Sequence, residues 1–147
     1  MRVVAQRVQQ ASVEVDKEVV GRIRQGLCLL VGFGQDDSGD ELEPMANRIV
    51  NLRIFPDETT GRFHRSLLDV SGSILAVPQF TLYADTSKGR RPEFFSALLP
   101  SKAAPLFERF VAALSDAGAP QVATGIFGAH MNVTLTNDGP VTILLES

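Results

Sequence analysis

Two stretches of the chain repeat their apolar residues at helical spacing, and most of the remainder alternates in the manner of strands. Leu42, Met45, Ala46, Ile49 and Val50 fall at i, i+3, i+4, i+7 and i+8, which gathers them on one helix face. Asp40 with Glu43 three residues later predicts a capping box, and Pro44 is tolerated in the first turn. Phe107, Phe110, Val111 and Leu114 repeat the pattern in a second helix. It is expected to open near Ser101, with Pro105 early and Gly118 just past its end, where a left-handed cap belongs. Strands are predicted over 3–8, then through Ala11, Val13 and Val15 to an Asp16-Lys17 turn, then over 19–23 and 27–33. Residues 73–83 read as one long strand containing Pro78. Met131, Val133 and Leu135 alternate, Asn137-Asp138-Gly139 marks a turn, and 141–145 close the chain. Many short strands with only two helices predict an α+β fold: a mostly antiparallel, barrel-like sheet covered by two main helices, in a single domain over 1–147.

Composition narrows the class. With 44% hydrophobic residues, 21% charged and a net charge of −3, the chain of 147 residues is built to bury a core and is not disordered. No apolar run approaches the roughly 18 residues of a membrane span. Residues 1–7 place charge and amide where a signal peptide needs an apolar stretch, so a cytoplasmic protein is expected. The one cysteine, Cys28, has no partner for an internal disulfide, and with two distant histidines, His64 and His130, it makes no structural zinc site. Seventeen acidic against fourteen basic residues exclude a protein living by duplex binding, so DNA is not an expected partner. Contact with nucleic acid is left to a small local patch.

Catalytic apparatus of the standard kinds is missing: no phosphate-binding glycine loop, no nucleophile elbow, no histidine pair at metal spacing. Three local features remain. In Pro78-Gln79-Phe80-Thr81-Leu82, strand alternation puts Gln79 and Thr81 on one face, where a carboxamide and a hydroxyl can orient a polar substrate. Spacing alone favours an ordinary edge strand of β-formers, since proline cannot donate to a ladder. Asn137-Asp138-Gly139-Pro140-Val141-Thr142 reads as a hairpin turn, or as bare Gly-Pro carbonyls offered to a ligand. Ser87-Lys88-Gly89-Arg90-Arg91-Pro92 reads as a solvated loop, or as a phosphate contact. Arg7 shares a strand face with Val3 and Ala5; it must snorkel to water or find hydrogen-bond partners.

Taken in order, these segments resemble the D-aminoacyl-tRNA deacylase family. The first family signature, Ser-Gln-Phe-Thr-Leu, is met by 78–82 with proline in place of serine. The second, Asn-x-Gly-Pro-Val-Thr, is met in full by 137–142. Gln6-Arg7-Val8, Ala11-Ser12-Val13, Arg53-Ile54-Phe55, Lys88-Gly89-Arg90-Arg91-Pro92 before Phe94, and Thr124-Gly125 with Phe127-Gly128-Ala129 and Met131 complete an end-to-end match. The resemblance implies a homodimeric hydrolase without cofactor or metal, acting on the aminoacyl-tRNA 3′ end. Gly139 and Pro140, joined by a cis bond in the family, are expected to enter the partner's active site, braced by Arg7. There their carbonyls would exclude L-amino acids and admit D-amino acids or glycine. Gln79, Phe80 and Thr81 are the expected catalytic pocket, Phe127 and Met131 the expected adenine neighbours, and Lys88, Arg90 and Arg91 the expected RNA contacts. The family view has the ribose 2′-OH assist water while backbone N–H groups near Phe80 and Thr81 hold the oxyanion. A relative that edits L-alanyl-tRNA also has proline at the position of Pro78, but Phe80 and Val141-Thr142 follow the D-specific pattern. A non-catalytic dimeric RNA-end binder and a metal-dependent hydrolase are the competing readings.

Overall fold

In the computed structural model, which describes residues 1–147, the first two predicted strands are one. β1 runs over Arg2–Val15 with Val3, Ala5, Val8, Ala11 and Val13 buried at near-alternate positions. One edge of β1 pairs antiparallel with β3 (Gly26–Gly32) and then with β2 (Glu18–Ile23), in one register from Arg2↔Gly32 to Ala11↔Ile23. The three strands therefore form a single long hairpin folded at Asp16 and Lys17, whose φ angles of 50° and 68° suit a tight two-residue turn. The other edge of β1 carries β8 (Asn132–Glu146), also antiparallel.

β6 (Ser73–Pro78) joins β3 in parallel, and β7 (Val122–Thr124) joins β6 in parallel. β7 then curls back towards β2. A Cβ on Gly21 would stand 2.7 Å from the Thr124 carbonyl oxygen, so glycine there permits the close approach that nearly closes the barrel. A short ribbon of β4 (Phe55–Pro56) and β5 (Phe63–Arg65) lies outside the main sheet. The α+β expectation holds, with the sheet mixed: three antiparallel ladders and two parallel ones.

Two helices cover one face. α1 (Leu42–Asn51) buries all five residues of the predicted stripe, and α2 (Pro100–Asp116) buries Leu106, Phe107, Phe110 and Leu114 among others. These residues join Met1, Val3, Leu29 and Leu145 in one core, while Val8, Val13, Cys28 and Leu75 fill a smaller one within the curled sheet. The predicted capping box is absent. Glu41 stands at the N-cap without a side-chain cap bond, and its carboxylate instead accepts the Gly39 N–H at 3.0 Å. α2 opens on Pro100, so Pro105 lies in its second turn and forfeits a backbone bond there. Its end follows expectation: Gly118 (φ 101°) donates to Ser115 O and Ala119 to Leu114 O, the paired bonds of a Schellman cap. No helix is long and apolar enough to cross a membrane.

Two expectations near the candidate chemistry are corrected. The strand predicted over 73–83 stops at Pro78, and Phe80–Tyr83 form a single 3-10 turn, so Gln79 and Thr81 are not related by strand alternation. Proline ends the ladder because it brings no N–H to it. The turn predicted at 137–139 does not reverse the chain either. β8 continues through it, and between the pairs Gln6↔Thr142 and Val8↔Asn137 the four residues Asp138, Gly139, Pro140 and Val141 stand opposite Arg7 alone. This is a wide bulge, held inside a ladder that resumes on both sides.

Candidate active site

The parallel strands β3 and β6 end at a cavity of about 340 Å³, the size of a small-molecule pocket. Phe33, Phe80, Phe94, Leu98 and Phe127 supply most of an apolar wall, and Gln79 is the one polar side chain lining it. Phe80 and Phe94 meet edge to face at 5.0 Å, and Phe127 lies 6.4 Å from Phe107 of α2, which ties the wall to the core. The Gln79 N–H donates to Val31 O at 2.7 Å, extending β6's alignment on β3 by one bond before the chain turns. Gln79 Nε2 donates to Thr81 Oγ1, so the carboxamide and the hydroxyl are hydrogen-bonded to each other across the first step of the turn. Thr81 itself is exposed and does not line the cavity.

The turn rests on a platform that sequence reading missed. Tyr83 packs against the end of β3 and the residues just past it, where a Cβ on Gly34 would stand 2.6 Å from its ring and a Cβ on Gly32 would stand 2.8 Å from Gln79 O. Arg2 covers the ring at 4.6 Å and donates from Nη1 to Leu82 O at 2.9 Å. Burial, then the adjacent Asp37 carboxylate, pushes the Tyr83 hydroxyl up to about 12. Tyr83 therefore stays neutral at any working pH and acts as a fixed apolar wedge. The available signal was the Gly32-Phe33-Gly34 spacing at a strand end, which has meaning only once Tyr83 is known to lie above it.

Arg7 is buried, at 7% exposure, and so does not snorkel. Its Nε donates to Asp138 O at 3.0 Å and lies 3.1 Å from the Asp138 carboxylate; Nη1 donates to Ile54 O at 2.5 Å. Asn137 closes the bulge from the other side. Its Oδ1 accepts the Val141 N–H at 2.9 Å and its Nδ2 donates to Thr142 Oγ1 at 3.1 Å. Gly139 has φ 136°, and a Cβ there would stand 2.7 Å from Val141 Cγ2, so no other residue fits. The Gly139–Pro140 peptide bond is cis. Both residues are exposed, and neither lines the cavity of their own chain.

Lys88, Arg90 and Arg91 are exposed on a loop closed by the Asp85↔Glu93 bridge, and none of them forms an ion pair. The Ser87 hydroxyl and N–H hold the Asp85 carboxyl below its ordinary value at the neck of that loop. Met131 stands beside the cavity and not in it. Its Sδ presses on Gly125, where a Cβ would lie 2.5 Å away, and Pro78 is the next neighbour at 3.6 Å. The fold thus brings Gln79, Phe80 and Phe127 to one cavity with Thr81 and Met131 at its edges, and holds Gly139, Pro140, Arg7 and the cationic loop elsewhere. Phe94 and Leu98 are wall residues that no periodicity marked, because 93–99 form an irregular segment.

A family model described as D-Tyr-tRNA(Tyr) deacylase matches residues 4–146. The chain belongs to the D-aminoacyl-tRNA deacylase family. It is accordingly an enzyme of the ester-hydrolysing class. The D-aminoacyl-tRNA deacylase of Roseiflexus sp. (strain RS-1) is 58% identical over 147 residues, covering 100% of this chain and 94% of that one. That of Thermus aquaticus is 51% identical, covering 100% and 95%. Among solved structures, the c-Myc DNA Unwinding Element Binding Protein superposes with a TM-score of 0.94 at 40% identity, over 100% of this chain and 99% of that one.

Proposed function

We propose that the chain, as a single deacylase domain over 1–147, hydrolyses the ester joining a D-amino acid to the 3′ end of tRNA, and likewise glycine mischarged on alanine tRNA. It acts as a cytoplasmic homodimer, without metal or cofactor, in a proofreading step. One observation carries this reading: the rigid, exposed Gly139-Pro140 bulge lies outside the cavity of its own chain, while that cavity has only one polar side chain, Gln79. A second copy supplies what the cavity lacks. Backbone carbonyls of Gly139 and Pro140, entering the partner's cavity, receive the substrate's amino group and leave no room for an L side chain. Such a filter tests the Cα configuration and not the side chain, so many D-amino acids are accepted.

The terminal adenosine occupies the aromatic cavity, with Phe127 and Met131 on the adenine side and Lys88, Arg90 and Arg91 towards the phosphates. Water adds to the ester carbonyl, assisted by the ribose 2′-OH. The oxyanion is held by N–H groups at the opening of the Phe80–Tyr83 turn, where the first amides have no partner within the turn. The acyl C–O bond then breaks, the ribose oxygen takes the proton, and free amino acid and tRNA leave. Thr81 orients Gln79 and does not attack, since no base stands beside it. The DNA-related name of the solved relative is not carried over, because a chain of net charge −3 lacks the basic surface of a duplex binder.

The test is amino-acid release from D-tyrosyl-, L-tyrosyl-, glycyl- and L-alanyl-tRNA with chelator present. The expected result is hydrolysis of the D and glycyl esters with both L esters spared. Cleavage of L-alanyl-tRNA would replace this reading by the L-alanine-editing one and make Pro78 the residue to exchange for serine. Binding of tRNA without turnover of any ester would leave only an RNA-end binder.

A further inference from the structure

The most exposed large apolar side chain of the molecule stands at the rim of the cavity. Phe95 is 78% exposed, yet its backbone is firmly held. It occupies the corner of a turn closed by the Ala97 N–H donating to Phe94 O at 3.0 Å, and both ends of that turn line the cavity. The turn is fastened to the end of β3 by Gln35 N–H to Ser96 O at 3.1 Å, Leu98 N–H to Phe33 O at 2.9 Å and the Gly34↔Ala97 bridge. Two residues before Phe95, Glu93 closes the loop that carries Lys88, Arg90 and Arg91. Along the chain, the loop of three unpaired cations leads through Glu93 to Phe94 in the cavity wall and to the exposed Phe95 ring at its rim.

We propose that Phe95 is a stacking platform for the unpaired base preceding the terminal adenosine of the tRNA, with the Lys88–Arg91 loop taking the adjoining phosphates. An aromatic ring beside free cations is how proteins hold single-stranded nucleic acid: rings stack the bases and cations follow the backbone. The cations choose the occupant. A partner's apolar face has no charge to offer the three unpaired cations of the loop that leads into Phe95, whereas a phosphodiester strand carries one negative charge per nucleotide for them to neutralise. An aromatic side chain with only two χ angles also loses little entropy when a base settles on it. The inference rests on the tRNA-end reading for what fills the cavity, and it adds how the strand leaves it.

Fluorescence titration of the full chain with a short single-stranded RNA ending in C-C-A tests this directly, using the parent, Phe95→Ala and Phe95→Trp. Phe95→Ala is expected to weaken binding about 10-fold, the scale of one lost base–aromatic stack, and Phe95→Trp to hold it within about 2-fold of the parent. With D-tyrosyl-tRNA and D-tyrosyl-adenosine as paired substrates, Phe95→Ala should lower the ratio of their kcat/KM values by a similar factor, through KM. An unchanged ratio, an equal loss on both substrates, or failure of tryptophan to restore binding would overturn the platform. Oligonucleotide binding that depends on Phe95 without hydrolysis of either ester would sink the proposed reaction and leave the platform standing.

Discussion

Arg7 donates its Nε–H to the carbonyl oxygen of Asp138 at 3.0 Å, and it is the lone β1 residue opposite the four-residue bulge that Asp138 begins. The same guanidinium reaches Ile54 O at 2.5 Å, so one buried cation ties the bulge to the segment entering β4. Arg7→Met removes the donors and leaves those carbonyls facing an apolar side chain. A loss of about 2–4 kcal/mol in unfolding free energy is expected, measured by urea denaturation. If the Gly139-Pro140 carbonyls set chirality, the variant also loses discrimination between D- and L-tyrosyl-tRNA, because its filter is no longer held rigid. Arg7→Lys, with a point charge in place of a fork, should fall between the two. Full discrimination in a destabilised Arg7→Met protein would show that the brace serves stability alone.

Thr81 Oγ1 accepts the Gln79 amide N–H and does not line the cavity, so on the proposed reading it aims Gln79. Thr81→Ala is expected to keep slow turnover with D-tyrosyl-tRNA, reduced about 10- to 100-fold, and Thr81→Ser to recover most of it. No covalent acyl adduct should appear by intact-mass measurement in the parent or in either variant. An adduct on Thr81 in the parent would make it the nucleophile.

The fate of these two motifs shows what a linear sequence can carry. Helical stripes were legible because every apolar residue of α1 faces one core, and 3.6-residue periodicity is a local property. The long strand β1 was legible in halves: Gln9 and Gln10 interrupt the alternation where Gln9 bulges from β1 against β8, between the pairs Val8↔Asn137 and Gln10↔Thr136. The bulge itself was not legible, since Asn-Asp-Gly is as good a turn as a bulge, and only pairing with Arg7 across the ladder decides between them. Pro78 announced that something ended. That the following residues coil onto Tyr83 depended on Gly32 and Gly34, far away in sequence. Family resemblance supplied candidate site residues at the points where periodicity could not.

Gly34 leaves room for the Tyr83 ring, and a Cβ there would meet Cε1 at 2.6 Å and Cζ at 2.9 Å. Arg2 also lies against the ring, 4.6 Å from its centroid, and holds the turn through Leu82 O. Gly34→Ala is therefore expected to displace the Phe80–Tyr83 turn and lower kcat for D-tyrosyl-tRNA about 10-fold or more, while binding of the C-C-A oligonucleotide changes less. Tyr83→Phe keeps the wedge and should retain activity. Equal damage from Tyr83→Phe and Gly34→Ala would locate the effect in the Tyr83 hydroxyl and its contact with Asp37 instead of in the packing.

Alkaline stability follows from a buried thiol and a half-buried phenol. Burial raises the Cys28 thiol from 9.0 to about 11, and Tyr83 rises from 10.0 to about 12. Between pH 9 and 11 for Cys28, and between pH 10 and 12 for Tyr83, the unfolded chain releases a proton that the folded chain keeps, so folding stability is complete below pH 9 and falls as pH rises through these windows. For Cys28, which is fully inaccessible, the loss approaches about 2–3 kcal/mol by pH 11. Urea midpoints from pH 8 to 10.5 should decline with the parent and decline less steeply with Cys28→Ala, whose lower starting stability does not alter the slope. At pH 8 the thiol should resist alkylation until denaturant is added, because only the thiolate reacts and it has no access to the reagent. Identical slopes for parent and variant would mean that Tyr83, or a group outside this pair, governs the alkaline limit.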